Sequence, residues 1–184
     1  GLTTFDKERT VGKYAKRTVS TLINHIPLKE LKHHTILDFG CGTGRLARFI
    51  APLCKKLICL DISPEMLEVA QKNLSNHTNI SYHLFDEKQL NSTLNFNIDF
   101  TYSYACLMYL NEPEFWKTLK FIDTNSKTFC LHLHKCYNES PHTGSALEKI
   151  KNGDLYKVEG FRPTPDLLKK HYKRPAYTIQ FHEP

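Results

Sequence analysis

Hydrophobic and polar residues follow two different periods along this chain. Apolar residues at helical spacing predict an N-terminal helix over residues 7–26, which Pro27 ends. After it, short apolar runs alternate with helical patterns. The predicted strands are Thr35–Phe39, Leu57–Leu60, Ile80–Leu84, Ile98–Tyr102 and Thr128–Leu133, and the predicted helices are Arg45–Ala51, Pro64–Leu74 and Pro113–Phe121. This alternation implies right-handed crossovers and a parallel sheet covered on both faces, the doubly wound α/β class.

Two helix starts carry residues that favour capping. Ser63 precedes Pro64 and Thr164 precedes Pro165, and in both places the hydroxyl can accept from a free N–H of the first turn. A helix near Pro165–His171 is therefore expected.

Glycine, proline and asparagine break any period over residues 135–160, which predicts a long loop. The chain closes with a strand near Tyr177–Phe181. We expect one domain over residues 1–184, made of an N-terminal helix or lid (1–27), a core (35–133), the long loop, and a C-terminal helix and strand (161–184).

Composition narrows the class of protein. The 184 residues are 40% hydrophobic and 24% charged, which is typical of a globular domain, and no apolar run approaches the roughly 18 residues that a membrane span needs. The six cysteines are scattered along the chain, several of them inside strand-like runs. This pattern indicates buried free thiols in a reducing compartment rather than disulfides. We expect a cytoplasmic protein. A net charge of +6 is compatible with an acidic or phosphorylated substrate or with nucleic acid, and does not choose between them.

A glycine-rich turn follows the first predicted strand. Gly40, Gly42 and Gly44 let the backbone turn sharply and let a ligand lie against the main chain, and the helix beyond offers free N–H donors. A dinucleotide fold places its third glycine at the sixth position of the motif, where this chain has Arg45. The spacing therefore argues against the usual dinucleotide site, although the glycines could serve only a tight crossover.

Acidic residues follow the next two strands. Asp61 ends the second strand, where a carboxylate can accept both hydroxyls of a ribose, and Asp86 follows the third. Either residue could instead be a solvated turn aspartate.

The run from Asp38 to Gly44, an acid followed by GxGxG, resembles motif I of class I S-adenosylmethionine (SAM) dependent methyltransferases. The resemblance is close over residues 35–86, and the alternation extends it to about residue 133. It implies that SAM is the cofactor and S-adenosylhomocysteine (SAH) the product. It also implies a Rossmann-like sheet of order 3-2-1-4-5 with a further strand added after the fifth.

The same resemblance implies roles for individual residues. The glycine turn would meet the methionine part of SAM, Asp38 would organise the turn and the ammonium group, Asp61 would bind the ribose, and Asp86 would accept from the adenine amino group. Leu84 and Phe85 would contact the adenine ring. The expected cofactor-binding residues are Tyr14, Asp38, Gly40, Cys41, Gly42, Thr43, Gly44, Asp61, Ile62, Met66, Phe85, Asp86 and Tyr102.

The methyl acceptor would face the end of the fourth strand. Methyltransferases of exocyclic amines usually carry Asn/Asp-Pro-Pro-Tyr/Phe there, whereas this chain has Ser-Tyr-Ala-Cys at residues 103–106, which resembles the varied loop of small-molecule O- and N-methyltransferases. Tyr104 and Tyr109 are candidate catalytic residues, with packing as the alternative. His134, at the end of the fifth strand, could act as a general base, or it could be packed or hydrogen-bonded.

Metal binding is not expected. Cys130, His132, His134 and Cys136 share one face of an extended strand, but they span roughly 20 Å, too far to surround one ion. A metal site made of two neighbouring residues of this set together with the distant His142 remains an open alternative. No metal is needed for methyl transfer, since the donor is already activated.

Three functions stay open on the sequence. We favour a methyltransferase acting on O or N of a small-molecule acceptor, either a phosphorylated, anionic molecule or a sugar-like one. The alternatives are methylation of RNA or protein, which a basic cluster at Lys169, Lys170, Lys173 and Arg174 would suit, and a SAM-binding partner without catalysis. The family pattern has seven strands and this chain about six, so a C-terminal strand would be lost, hidden near residues 156–161, or removed with the C-terminus.

Overall fold

A computed structural model describes residues 18–20, 28–86, 88, 90, 96–132, 161 and 163–171. Five parallel strands form one sheet in the order β3-β2-β1-β4-β5, which confirms the predicted order and the doubly wound class. The strands are β1 (Thr35–Phe39), β2 (Lys56–Asp61), β3 (Ile80–Leu84), β4 (Ile98–Tyr104) and β5 (Ser126–His132). The carboxyl ends of all five meet at one edge of the sheet, where open parallel sheets bind ligands.

Helices lie before, between and after these strands along the chain. Their bounds are α1 (Leu28–Leu31), α2 (Ala47–Ile50), α3 (Pro64–Asn73), α4 (Glu112–Asn125) and α5 (Pro165–His171), with short 3₁₀ turns at Ala51–Leu53 and Leu107–Tyr109. The hydroxyl of Ser63 accepts from the Met66 N–H at 3.2 Å, and that of Thr164 accepts from the Leu167 N–H at 3.2 Å, so both expected caps are present.

The sheet buries a core on each face. One core lies under α2 and α3 and includes Ile36, Leu57, Phe100 and Tyr102. The other lies under α4 and includes Leu37, Ile58, Phe115 and Phe161. Neighbouring residues of one strand thus enter opposite cores, because side chains of a strand alternate between its two faces.

Several predicted bounds differ from the structure, and three of the differences affect the description of the site. The helix predicted over Arg45–Ala51 is α-helical only at Ala47–Ile50, and a 3₁₀ turn containing Pro52 follows. Helix α4 continues past Phe121 to Asn125, because Ile122 and Asn125 are buried against the sheet. β4 continues past Tyr102 to Tyr104, where it pairs with β5, so the loop beyond it begins later than expected.

Several expected elements lie outside the described residues. They are most of the helix over residues 7–26, of which residues 18–20 are helical, the loop over 135–160, and the strand near Tyr177–Phe181. The single-domain division stays a prediction. Within the described part of the chain, no helix combines the length and the hydropathy needed to cross a membrane.

Candidate functional site

The glycine turn is bound to the end of β2. The N–H groups of Gly40 and Cys41 both donate to the carbonyl of Leu60, at 2.8 and 3.1 Å. The N–H of Gly42 donates to Asp61 Oδ2 at 2.7 Å, and the N–H of Ser63 donates to Oδ1 of the same carboxylate at 3.0 Å. The Asp61 carboxylate therefore holds the backbone of the turn in place through hydrogen bonds.

The three glycines meet different surroundings. All have positive φ, a region that side-chain-bearing residues rarely adopt. A Cβ on Gly40 would lie 2.3 Å from Cys106 Sγ, and one on Gly44 would lie 2.6 Å from Leu74 Cδ1, whereas one on Gly42 would have nothing within 4 Å. The turn is thus packed at both ends and open in the middle, beside Asp61.

Asp38 lies beneath the turn, buried in the sheet. The hydroxyl of Tyr102, itself fully buried, donates to Asp38 Oδ2 at 2.6 Å. Burial raises the pKa of Asp38 to about 7, although the Tyr102 hydrogen bond opposes the rise, and the charges of Asp61 and Arg45 act in opposite directions. Tyr102 therefore contributes to the site by holding the Asp38 carboxyl in place. Direct contact of Tyr102 with a ligand stays a prediction.

Asp61 is also shifted toward the protonated form. Burial raises the pKa of its carboxyl, and hydrogen bonds from the N–H groups of Ser63, Gly42 and Ile62 oppose the rise. Each carboxylate oxygen has further lone pairs, so Asp61 can hold the turn and still accept from a ribose.

The residues predicted around the adenine lie at the end of β3. Phe85 is buried, and its ring makes an edge contact with Phe39 at 5.2 Å between centroids, whereas the Leu84 side chain is 52% exposed. Asp86 is exposed, and its Oδ1 accepts from the Lys88 N–H at 3.0 Å, as in a turn. Of the two apolar residues, Leu84 is therefore the better placed to contact an adenine ring, because its side chain is at the surface.

The remaining cofactor candidates lie on both sides of Asp61. Thr43 is half-buried in the turn, and Cys41 is buried at its base. Ile62 packs partly into the second core, and Met66, in the first turn of α3, is 37% exposed. Tyr14 lies outside the described residues. The binding roles of all of these stay predictions.

Stacked side chains lie at the ends of β4 and β5, where the methyl acceptor is predicted. The ring of Tyr104 at the end of β4 stacks on the imidazole of His132 at the end of β5, with 4.2 Å between centroids, and the two residues pair in the sheet. The guanidinium of Arg45, next to the glycine turn, lies 5.4 Å from the centroid of the Tyr104 ring. This stack, Arg45–Tyr104–His132, joins the cofactor turn to the end of β5.

The backbone after β4 is strained next to this stack. Ala105 has φ of 53°, in the left-handed region that costs a non-glycine residue about 1–2 kcal/mol. The following residue, Cys106, packs against Gly40. Burial raises the pKa of Cys106 to about 12, so its thiol stays protonated and is a poor nucleophile at neutral pH. Strain of this kind is common at functional sites.

Of the other two predicted catalytic residues, the structure describes one. Tyr109 is half-buried in the 3₁₀ turn after β4, and His134, like Cys136 and His142, lies outside the described residues. No group of three or more metal-ligating side chains occurs in the described ranges. Sequence reasoning missed Arg45 and His132 as parts of the stack, although the shared face of Cys130 and His132 was a signal for the second.

Comparison with known proteins agrees with this geometry. Residues 36–125 match a family model described as a methyltransferase domain. A malonyl-(acyl-carrier protein) O-methyltransferase from Acetivibrio thermocellus is 28% identical over 102 residues, which cover 54% of this chain and 35% of that protein. A ribosomal protein L11 methyltransferase from Polynucleobacter necessarius is 41% identical over 59 residues, which cover 31% of this chain and 18% of that protein. The chain thus spans about a third or less of the length of these relatives.

Solved structures share the fold. Magnesium protoporphyrin IX methyltransferase from Synechocystis PCC 6803, crystallised with bound SAH, superposes with a TM-score of 0.63 at 16% identity, covering 93% of this chain and 76% of that one. At this identity the likeness establishes the arrangement of strands and helices.

Proposed function

This chain belongs, through residues 36–125, to the class I SAM-dependent methyltransferases, and from that premise we propose that it transfers a methyl group from SAM to O or N of a small, anionic acceptor. One observation supports SAM as the methyl donor. Asp61 binds the Gly42 N–H at 2.7 Å where the turn is open, so a carboxylate and an uncovered stretch of backbone lie side by side. A nucleoside that carries an amino-acid tail fits that pairing.

The residues present suit SAM. The open space above Gly42 admits a ligand against the main chain, Asp61 offers lone pairs to ribose hydroxyls, and Asp38 offers a carboxyl for an ammonium group. When bound, SAM supplies an activated methyl group on a sulfonium. The glycine turn would hold its methionine part, and Leu84 and Asp86 its adenine.

The main contribution of this chain to catalysis would be to align the methyl donor with the acceptor atom. The glycine turn would hold the methyl donor, the ends of β4 and β5 would hold the acceptor atom in line with it, and the acceptor's proton would pass to a base or to water. The protein holds the two reactants in line and excludes water. His134 is the proposed base for an acceptor that must lose its proton, and Tyr104 and Tyr109 would border the methyl.

The Arg45–Tyr104–His132 stack supports an anionic acceptor. Arg45 brings a permanent positive charge beside the glycine turn, and the ring of Tyr104 contacts both Arg45 and His132. The net charge of +6 adds a weak attraction for anions. A phosphorylated or carboxylated small molecule therefore suits this edge of the sheet. One relative is named for O-methylation of a malonyl group on an acyl-carrier protein, which is consistent with an anionic group at the acceptor and does not bear on its size.

Methylation of a protein or of RNA is the second candidate. One relative is named for a ribosomal protein, and the last turn of α5 carries Lys169, Lys170 and His171 in exposed positions. Exposed lysines more often serve solubility than recognition, so this candidate ranks second.

Transfer of label separates the two candidates. The purified chain is incubated with methyl-labelled SAM and, separately, with small-molecule and macromolecular fractions of a cell extract. We expect label in the small-molecule fraction and none with Asp61→Ala. Label confined to macromolecules would overturn the small-molecule acceptor, and SAH binding without any label transfer across all fractions would argue against methyl transfer.

A further inference from the structure

A side chain from the far end of α3 holds the outer side of the glycine turn. Asn73, the last residue of α3, donates from Nδ2 to the carbonyl oxygen of Thr43 at 3.0 Å, across 30 residues of sequence. A carbonyl oxygen only accepts, so the amide nitrogen must face it. Asn73 is otherwise exposed. Core packing therefore does not impose the contact.

The same bond fixes one peptide unit of the turn. The carbonyl of Thr43 and the N–H of Gly44 belong to a single planar peptide. That N–H donates to the Cys41 carbonyl at 3.0 Å, within the turn. One end of the peptide is thus tied to the turn and the other to α3. The orientation of the plane is set from both ends.

Apolar contacts from α3 support the next residue. A Cβ on Gly44 would meet Leu74 Cδ1 at 2.6 Å and Ala70 Cβ at 3.5 Å. The last part of α3 therefore lies against both Thr43 and Gly44. Because Leu60 and Asp61 hold the inner side, the turn is clamped between β2 and the helix that follows it.

We infer that Asn73 is a positioning residue for the amino-acid end of SAM. It keeps the Thr43–Gly44 peptide in one orientation before the ligand arrives, so less ordering is required when the ligand binds. This inference rests on the proposed function, since it takes SAM as the ligand of the turn. Asn73 itself need not touch the ligand.

Two related ligands test the inference. SAH carries the amino-acid end, whereas 5′-methylthioadenosine has the adenosine and the thioether but lacks that end. In Asn73→Ala we expect the Kd for SAH to rise about three- to tenfold, as for the loss of one hydrogen bond, and the Kd for 5′-methylthioadenosine to stay unchanged. Asn73→Asp keeps the shape but places an acceptor against the carbonyl, so its loss for SAH should be at least as large.

The controls separate positioning from general damage. Gln71→Ala changes an exposed residue of α3 on another side of the helix and should leave both affinities unchanged. Equal losses for both ligands in Asn73→Ala, or no loss for SAH, would overturn the inference while the proposed function stands. Failure of the wild-type chain to bind SAH would overturn the proposed function and this inference with it.

Discussion

The two halves of the binding edge are held by different kinds of contact. On the cofactor half, backbone N–H groups of the glycine turn bond to Leu60 and Asp61. On the half that we propose for the acceptor, Tyr104 makes ring contacts with Arg45 and His132. The positive φ of the turn requires glycine, and its backbone N–H requires a carboxylate acceptor at one position. A ring stack, in contrast, can be built from many residue types. The cofactor half should therefore be sensitive to single changes, and the acceptor half tolerant of them.

The sharpest way to break the cofactor half is to add a methyl group to Gly40. In Gly40→Ala the new Cβ would overlap Cys106 Sγ at 2.3 Å and would sit at φ of 78°. Overpacking and backbone strain together should lower the free energy of unfolding by about 2–5 kcal/mol. Denaturant titration measures this loss.

Gly42→Ala is the matched control, because it shares the positive φ but has open space around its Cβ. Its cost should be only about 1–2 kcal/mol of backbone strain. Equal losses in the two variants would contradict the packing of Cys106 against the turn.

Removing the carboxylate of Asp61 should disable cofactor binding. Asp61→Ala deletes the acceptor of the Gly42 N–H and the proposed acceptor of the ribose hydroxyls. Charge-assisted hydrogen bonds contribute about 1.5–3 kcal/mol each, so the Kd for SAH should rise by about tenfold or more. Titration calorimetry measures it. An unchanged affinity would contradict the ribose assignment.

Acid should weaken cofactor binding through Asp38. Its pKa is about 7, and an ammonium group pairs with the ionised form, so the affinity for SAM should fall about tenfold from pH 8 to pH 6. Asp38→Asn should be weaker throughout and lose this dependence. If the wild-type affinity is flat over this range, Asp38 does not pair with the ligand.

Folding stability should respond to pH in the opposite direction. A carboxyl whose pKa is raised on folding binds more protons in the folded state than in the unfolded one. The contribution of Asp38 to stability therefore falls as pH rises from about 4 to about 7. Thermal unfolding of wild type and Asp38→Asn across this range isolates that contribution, and a wild-type stability that rises relative to the variant would contradict the burial of Asp38.

The smallest effect on cofactor affinity is expected from the acceptor half. Tyr104→Leu removes the ring that contacts Arg45 and His132 but leaves the contacts of the glycine turn with Leu60 and Asp61 in place. The Kd for SAH should change less than about threefold, within the ordinary range of surface substitutions, while methyl transfer to the acceptor falls. A loss of SAH affinity as large as in Asp61→Ala would show that the two halves are not separable.

The sequence predicts the cofactor half better than the acceptor half for a physical reason. The five strands follow from alternating periods, their order from the resemblance to the methyltransferase family, and the turn from glycines that positive φ requires. The bond from Tyr102 to Asp38 and the stack of Tyr104 on His132 depend on the register between strands. Local sequence does not encode that register, so these contacts could not be predicted.

Two further misses have the same origin. The capping box of Asn111 and Glu114 begins α4 and is readable in the sequence, but the four residues by which α4 passes Phe121 depend on burial against the sheet. The bond from Asn73 to Thr43 joins distant residues and leaves no local pattern.

Calorimetric titration of the wild-type chain with SAM and SAH tests the central claim most directly. The glycine turn, Asp38 and Asp61 predict saturable binding of both ligands at one site, with affinity lost in Asp61→Ala. Absence of binding by well-folded protein at millimolar ligand would contradict the assignment of this edge of the sheet as a SAM site.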